Sequence, residues 1–170
     1  MAKSVSPLQL PDAFHVQAAV GWLELSNVAE AKLELEQLPA TLREHPDALE
    51  VWWKVFAEGK DWAGALASAE KLVALAPDRV SGWVDRSYAL HELNRTKDAY
   101  DLLSPLVEKF REHYVIPYNL ACYQCELGNH EAALRWLRCA VEASDLKTIR
   151  SMAAQDPDLE PLRDMIARLG

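Results

Sequence analysis

Apolar residues recur along this chain at i, i+3, i+4 and i+7, the spacing that gathers them on one face of a helix. The pattern predicts first helices over 12–25, 46–59, 79–93 and 114–127, and second helices over 28–38, 61–75, 96–110 and 129–143. No period-two alternation competes, so the expected fold class is all-α. Residues suited to N-caps stand at the starts: Asp12, Asp47 and Asp78 for first helices, Asn27 and Asp61 for second ones. Gly59, Pro39, Pro77 and Gly128 punctuate the ends.

The helix pairs are copies of one another. Ala31, Ala65, Ala99 and Ala133 follow at intervals of 34 residues without a gap, a period that marks a repeat array. Trp22, Phe56, Leu90 and Gln124 share one column, and Leu38, Leu72, Leu106 and Ala140 another. With Gly128 at the inter-helix turn, Pro77 closing the second unit and Trp83 as an early aromatic, the chain resembles the tetratricopeptide repeat family over about residues 12–145. The resemblance implies a right-handed superhelical array of four 34-residue helix-turn-helix repeats, at 12–45, 46–79, 80–113 and 114–145. Residues 1–11 precede it as an extended segment, and 146–170 follow as capping helices. Two departures stand out. Pro39 shortens the first unit's second helix, and Trp53 sits where the family prefers a small residue. Ala69 faces Trp53 where other units carry Leu35, Leu103 and Leu137, which reads as a compensating exchange of volume.

The tail breaks the period, because Pro157 and Pro161 forbid a matching first helix. A cap near 146–155 and a short helix near 158–168 are expected, with Leu146, Ile149, Met152 and Ala153 covering the last repeat and Leu159, Leu162 and Ile166 packing nearby. A solenoid needs such an end because each repeat exposes an apolar face. Asp156 and Asp158 flank Pro157 in a pattern that suits a turn and a helix cap rather than a catalytic carboxylate pair.

Composition narrows the function. The net charge is -8 and the pI about 5.1, which disfavours nucleic acid and anionic membranes as partners. No stretch reaches the length of a membrane span, and the start "MAKSVSPLQLPDAFH" lacks the apolar core of a secretory signal. Three cysteines do not make a disulfide framework, so a reducing cytoplasm is the expected compartment. Phosphate loops, dinucleotide fingerprints and hydrolase elbows are all missing from the sequence.

The resemblance implies that first helices line a concave groove that holds a peptide or helix. Carried over column by column, that surface comprises Val16, Val20, Glu50, Lys54, Val84, Tyr88, His91, Tyr118, Cys122 and Cys125. Glu24, Glu58, Glu92 and Glu126, again 34 apart, form an acidic rim in the last turns of the first helices. A protein partner with apolar anchors and basic residues suits that rim. An alternative is that "SVSPLQLP" or the tail fills part of the groove.

One stretch invites sharper chemistry. Cys122 and Cys125 share a helix face, and His91 lies one repeat earlier in the column of Cys125, so these three are the candidate zinc trio. A lone Cys-x-x-Cys inside a helix is a weak metal signal, and away from a helix N-terminus its thiols lack the dipole that activates redox pairs. Cys139 falls on an outer face and His130 in a packing column. The reading is therefore a non-catalytic interaction scaffold or adaptor, chaperone-like in size and charge, with no metal and no cofactor. The alternative is a zinc- or thiol-dependent sensor or catalyst built on Cys122, Cys125 and His91.

Overall fold

The computed structural model describes residues 6–168, so the outermost positions of the N-terminal segment and of the tail lie outside it. The chain forms two compact units, residues 1–89 and 90–170. The first holds α1 (Asp12–Glu24), α2 (Val28–Glu36), α3 (Pro46–Glu58), α4 (Trp62–Leu75) and most of α5 (Val80–Glu92). The second holds the end of α5, then α6 (Thr96–Leu103), α7 (Val115–Glu126), α8 (His130–Glu142), α9 (Leu146–Ala153) and α10 (Arg163–Ala167). Short 3₁₀ helices lie at Ser104–Leu106 and Pro157–Leu162. Among the described residues there is no strand, and no helix is long and apolar enough to cross a membrane.

The repeat is visible in the backbone. Ser26, Lys60, Asn94 and Gly128, each 34 residues from the next, all adopt left-handed φ values of 55, 55, 60 and 77°. Each stands just past a first helix and closes it in the same way. The amides of Asn27, Asp61, Arg95 and Asn129 donate to the carbonyls of Trp22, Phe56, Leu90 and Gln124, five residues back, at 2.8–2.9 Å. The left-handed residue itself donates three residues back, to Leu23, Ala57, His91 and Cys125. Together these bonds form the Schellman closure, which satisfies carbonyls the helix end leaves open. Only the fourth turn uses glycine, the residue for which this conformation is free of steric cost.

Two of the expected N-caps are present: the side chain of Asn27 accepts from the Glu30 amide, and that of Asp61 from the Gly64 amide. Of the aspartates expected to cap first helices, Asp12 and Asp47 stand elsewhere. Asp12 is already inside α1, whose N-cap position is Pro11. His45 caps α3 by accepting the Asp47 amide at 3.2 Å, with Pro46 as first helical residue. Helix α5 begins at Val80, two residues beyond Asp78. Helix α6 stops earlier than expected because Pro105, which has no amide hydrogen, turns the chain into the 3₁₀ helix.

In the first unit, Val16, Ala19, Ala31, Leu35, Leu38, Ala48, Val51 and Val55 form one buried cluster, with Leu8, Trp22 and Trp52 packed against it. Small residues let α3 and α4 approach: a Cβ on Gly64 would lie 2.7 Å from the Phe56 ring. The Trp53 indole, which the sequence sets against Ala69, donates to the Asp85 carbonyl at 3.1 Å and lies edge-on to Tyr88. Its volume is thus taken up against α5. In the second unit Ile116, Leu120, Tyr123, Leu137, Ile149, Leu159 and Leu162 are fully buried, so α9 and the tail's 3₁₀ helix contribute to its core. Burying Leu159 and Leu162 alone contributes about 3–6 kcal/mol, enough to make the tail part of the fold. His130, expected in a packing column, is exposed at the start of α8. All four column alanines have no exposed surface.

Candidate functional site

In the first unit the candidate residues project from α1, α3 and α5, and they are not equally open. Val16 is buried in the core cluster, and Val20 packs against it. Glu50 accepts from the Ser81 hydroxyl at 2.6 Å and pairs with Arg79 at 3.3 Å. Asp47, one turn earlier, accepts from the Leu8 amide at 2.9 Å and from Arg79 at 2.6 Å. Burial opposes the charge of Asp47, but the Leu8 amide and the Arg79 guanidinium outweigh it and hold the carboxyl below its ordinary range. The His45 ring also donates to the Ser6 carbonyl at 3.0 Å. Residues 6–8 are therefore bonded to His45 and Asp47 at the start of α3.

Farther along α3 and α5 the surface opens. Lys54 is exposed, and Tyr88 is 37 % exposed. The Tyr88 ring lies 6.2 Å from Trp53 and 5.7 Å from Trp62, edge-on to both. Beside them Asp85 is half-buried. Its carboxyl is pushed up to about 7, first by burial and then by the charge of Glu50, with Lys54 pulling the other way. Sequence reasoning passed over Asp85 because its column, shared with Gln17, Val51 and Asn119, adjoins the groove columns without belonging to them.

In the second unit the corresponding side chains are covered by the chain's own tail. Tyr118, Cys122 and Cys125 are all buried. The Tyr118 hydroxyl donates to Asp156 Oδ2 at 2.8 Å, and the Cys122 thiol donates to the same oxygen at 3.5 Å. The other Asp156 oxygen accepts the Asp158 amide at 3.0 Å and so starts the 3₁₀ helix. His91 Nε2 lies 3.1 Å from Asp158 Oδ2 and its Nδ1 3.0 Å from Thr96 Oγ1, with the ring 5.1 Å from that of Tyr123. Burial disfavours the charged imidazole, but Asp158, Glu92 and Glu126 together raise its pKa.

This environment suppresses thiol chemistry. Burial, then the charges of Asp156 and Asp158, push the Cys122 thiol far up, and burial with Glu126 raises Cys125. Low thiolate content removes the nucleophile that disulfide exchange requires. The donors that converge among the described residues are Cys122, Asp156 and Asp158, within 4.8 Å of one another. That set differs from the Cys122, Cys125 and His91 trio suggested by spacing. The rim residues Glu24, Glu58 and Glu126 are exposed and Glu92 half-buried, each the last residue of its helix.

A feature unforeseen in the sequence is a pocket of about 300 Å³ in the first unit. The stacked rings of Trp52 and Phe56, 5.6 Å apart, form one wall. Ser68, Arg43, and the ion-paired Glu44 and Lys71 contribute to the rest. None of these residues belongs to a groove column.

No family model matches the sequence, and no curated protein does. Solved structures do share the fold. TTC0263, a thermophilic TPR protein in Thermus thermophilus, matches with a TM-score of 0.68 at 16 % identity, over 93 % of this chain and 98 % of its own. MamA 41-end from Desulfovibrio magneticus RS-1 matches with a TM-score of 0.69 at 15 % identity, over 96 % and 97 %. MamA AMB-1 gives 0.64 at 13 % identity, over 95 % and 100 %. The chain therefore has the tetratricopeptide-type, all-helical repeat fold.

Proposed function

We propose that this chain is a non-catalytic, cytoplasmic interaction module that holds a peptide or helix of another protein along α3 and α5 of its first unit. The observation that carries this reading is Tyr88, a large aromatic left 37 % exposed on a helix whose neighbouring rings are packed beneath it. Exposed aromatics of this kind are the usual anchors of protein interfaces. Lys54, Val84 and Glu50 surround the same stretch of the first helices, with Glu24 and Glu58 as the acidic rim on this unit. The likeness in fold to a TPR protein supports the same class of role.

The second unit contributes less binding surface than column counting implies. Its equivalents Tyr118 and Cys122 are bonded to the tail, Cys125 is buried, and His91 is engaged by Asp158. The zinc- or thiol-dependent alternative is correspondingly weak, since burial and neighbouring carboxylates keep both thiols protonated. Affinity capture from the native cell with wild type, Tyr88→Ala and Tyr118→Phe tests the assignment. Tyr88→Ala loses the partner and Tyr118→Phe keeps it. Partners unchanged by Tyr88→Ala would sink the reading.

A further inference from the structure

We propose that the first-unit surface takes an arginine or lysine side chain of its partner, with the carboxylate of Asp85 as acceptor and Tyr88 and Trp53 as the adjoining aromatic wall. This rests on the groove reading above and adds the chemistry of the bound residue.

Asp85 presents a carboxylate that no described protein group bonds and that keeps contact with solvent. Among the described residues no hydrogen bond or ion pair reaches its carboxylate, although Asp85 is half-buried and its backbone carbonyl is held by Trp53 of α3. The nearest carboxylates are already engaged, Glu50 by Ser81 and Arg79, and Asp47 by Leu8 and Arg79. Asp85 therefore offers its accepting capacity to water or to an incoming donor, and a charged donor that displaces that water gains a charge-assisted hydrogen bond. The charged groups whose fields reach it, Glu50 and Lys54, both come from α3. Glu50 adds a second negative charge that favours an incoming cation. Lys54 is exposed and forms no ion pair with Asp85, so it is a competitor and not a fixed partner.

Rings flank the acceptor. Trp53 is tied by its indole to the Asp85 carbonyl, and Tyr88 lies one turn along α5. A guanidinium or ammonium group seated there meets a carboxylate and the faces of aromatic rings, the two environments that attract it. Because burial raises the Asp85 carboxyl to about 7, the incoming cation displaces whatever proton it holds to solvent, about half a proton per side chain bound at pH 7 and nearly one below pH 6.

The test uses the full chain and two probes, the acetylated, amidated peptides Leu-Arg-Ala-Leu and Leu-Gln-Ala-Leu, followed through the Trp53 indole and Tyr88 ring signals by NMR. The arginine peptide shifts these signals and the glutamine peptide does not. Its affinity rises about tenfold from pH 6 to pH 8, as Asp85 loses its proton. Asp85→Asn, which keeps the side-chain shape, abolishes that rise, and Lys54→Ala strengthens binding. Equal shifts with both peptides overturn the proposal and leave the groove reading standing. No shift with either at millimolar concentration also overturns it, while the Tyr88→Ala capture decides the groove reading separately.

Discussion

The Tyr118 hydroxyl donates to the carboxylate of Asp156 at 2.8 Å, across thirty-eight residues of chain. That single bond turns what repeat alignment marks as open groove into the seat of the tail. Asp156 also accepts from the Cys122 thiol and begins the 3₁₀ helix that buries Leu159 and Leu162. A hydrogen bond to a charged acceptor at a buried site contributes about 2 kcal/mol. Tyr118→Phe is therefore expected to lower the stability of the second unit by about that amount, and Asp156→Ala by more, because it also removes the cap. Amide exchange across residues 146–168 reads the effect. Unchanged protection in Tyr118→Phe would show that the apolar contacts alone hold the tail.

The four left-handed turn residues give a second prediction. At Ser26 and Lys60 an L side chain occupies a conformation with φ of 55°, which costs about 1 kcal/mol relative to glycine. Lys60→Gly and Ser26→Gly should each stabilise the first unit by up to about 1 kcal/mol. Conversely, Gly128→Ala should destabilise the second unit by a similar amount. A Cβ at Gly128 meets nothing within 4 Å, so that cost is conformational and not a clash. Urea unfolding of the three variants measures it, and three values near zero would contradict the assigned turn geometry.

Why some of this was legible in the sequence and some was not follows from the distance over which each feature is determined. Helix positions, the buried alanine column and the Asn27 and Asp61 caps depend on residues within a turn or two, and the spacing of apolar positions reveals them. The tail's apolar contacts were also readable, since Ile149, Leu159 and Leu162 are apolar positions around Pro157 and Pro161 that break the repeat period. What spacing does not carry is the bond from Asp156 to Tyr118, because repeat columns describe only neighbours that repeat. The cap expected at Asp47 failed for a local reason: His45 and Pro46 supply the start of α3, which frees Asp47 for Leu8 and Arg79. His130 shares a column with Val28, Trp62 and Thr96 yet is exposed. Asp85 was invisible because its significance is a missing partner, which only the assembled α3 and α5 reveal.

The thiols should separate by accessibility. Cys139 is partly exposed on α8, whereas Cys122 and Cys125 are buried. Burial followed by the Asp156 and Asp158 charges keeps Cys122 protonated, and burial with Glu126 does the same for Cys125. Burial and the Glu142 charge raise the Cys139 thiol as well, so a disulfide reagent should modify Cys139 first through its accessibility, and the other two at the rate of local unfolding. Mass spectrometry of the early product identifies the site. Early labelling of Cys122 or Cys125 would revive the thiol-dependent alternative.

His91 supplies a pH dependence in the second unit. Its pKa is raised above the ordinary 6.5, since Asp158, Glu92 and Glu126 outweigh the burial that opposes its charge. A raised folded pKa means that the folded state holds the proton more tightly. The stabilisation is thus complete below pH 6.5 and is lost as pH rises through the folded value. Asp158→Asn, which removes the largest favourable partner, should flatten that decline. Thermal unfolding at a series of pH values compares the two chains, and parallel profiles would rule out the ion pair as its source.

Asp85 should shape the stability of the first unit in the same direction for a different reason. Its carboxyl titrates at about 7 in the folded chain against 3.8 unfolded, mainly because burial disfavours the charge and Glu50 adds to it. Between those values the unfolded chain has released the proton and the folded chain keeps it, so folding takes up one proton. Stability contributed by this group is then greatest below about pH 4, falls as pH rises towards 7, and is level above. The full span amounts to roughly 2–4 kcal/mol, with screening by solvent and Lys54 favouring the lower end. Asp85→Asn keeps the shape and removes the charge, so it should be more stable than wild type at pH 8 by on the order of 2 kcal/mol and equal to it near pH 4. Urea unfolding of both proteins at the two pH values isolates the group, because every other titration cancels in the difference. A difference independent of pH would mean that the Asp85 carboxyl is not raised in the folded chain.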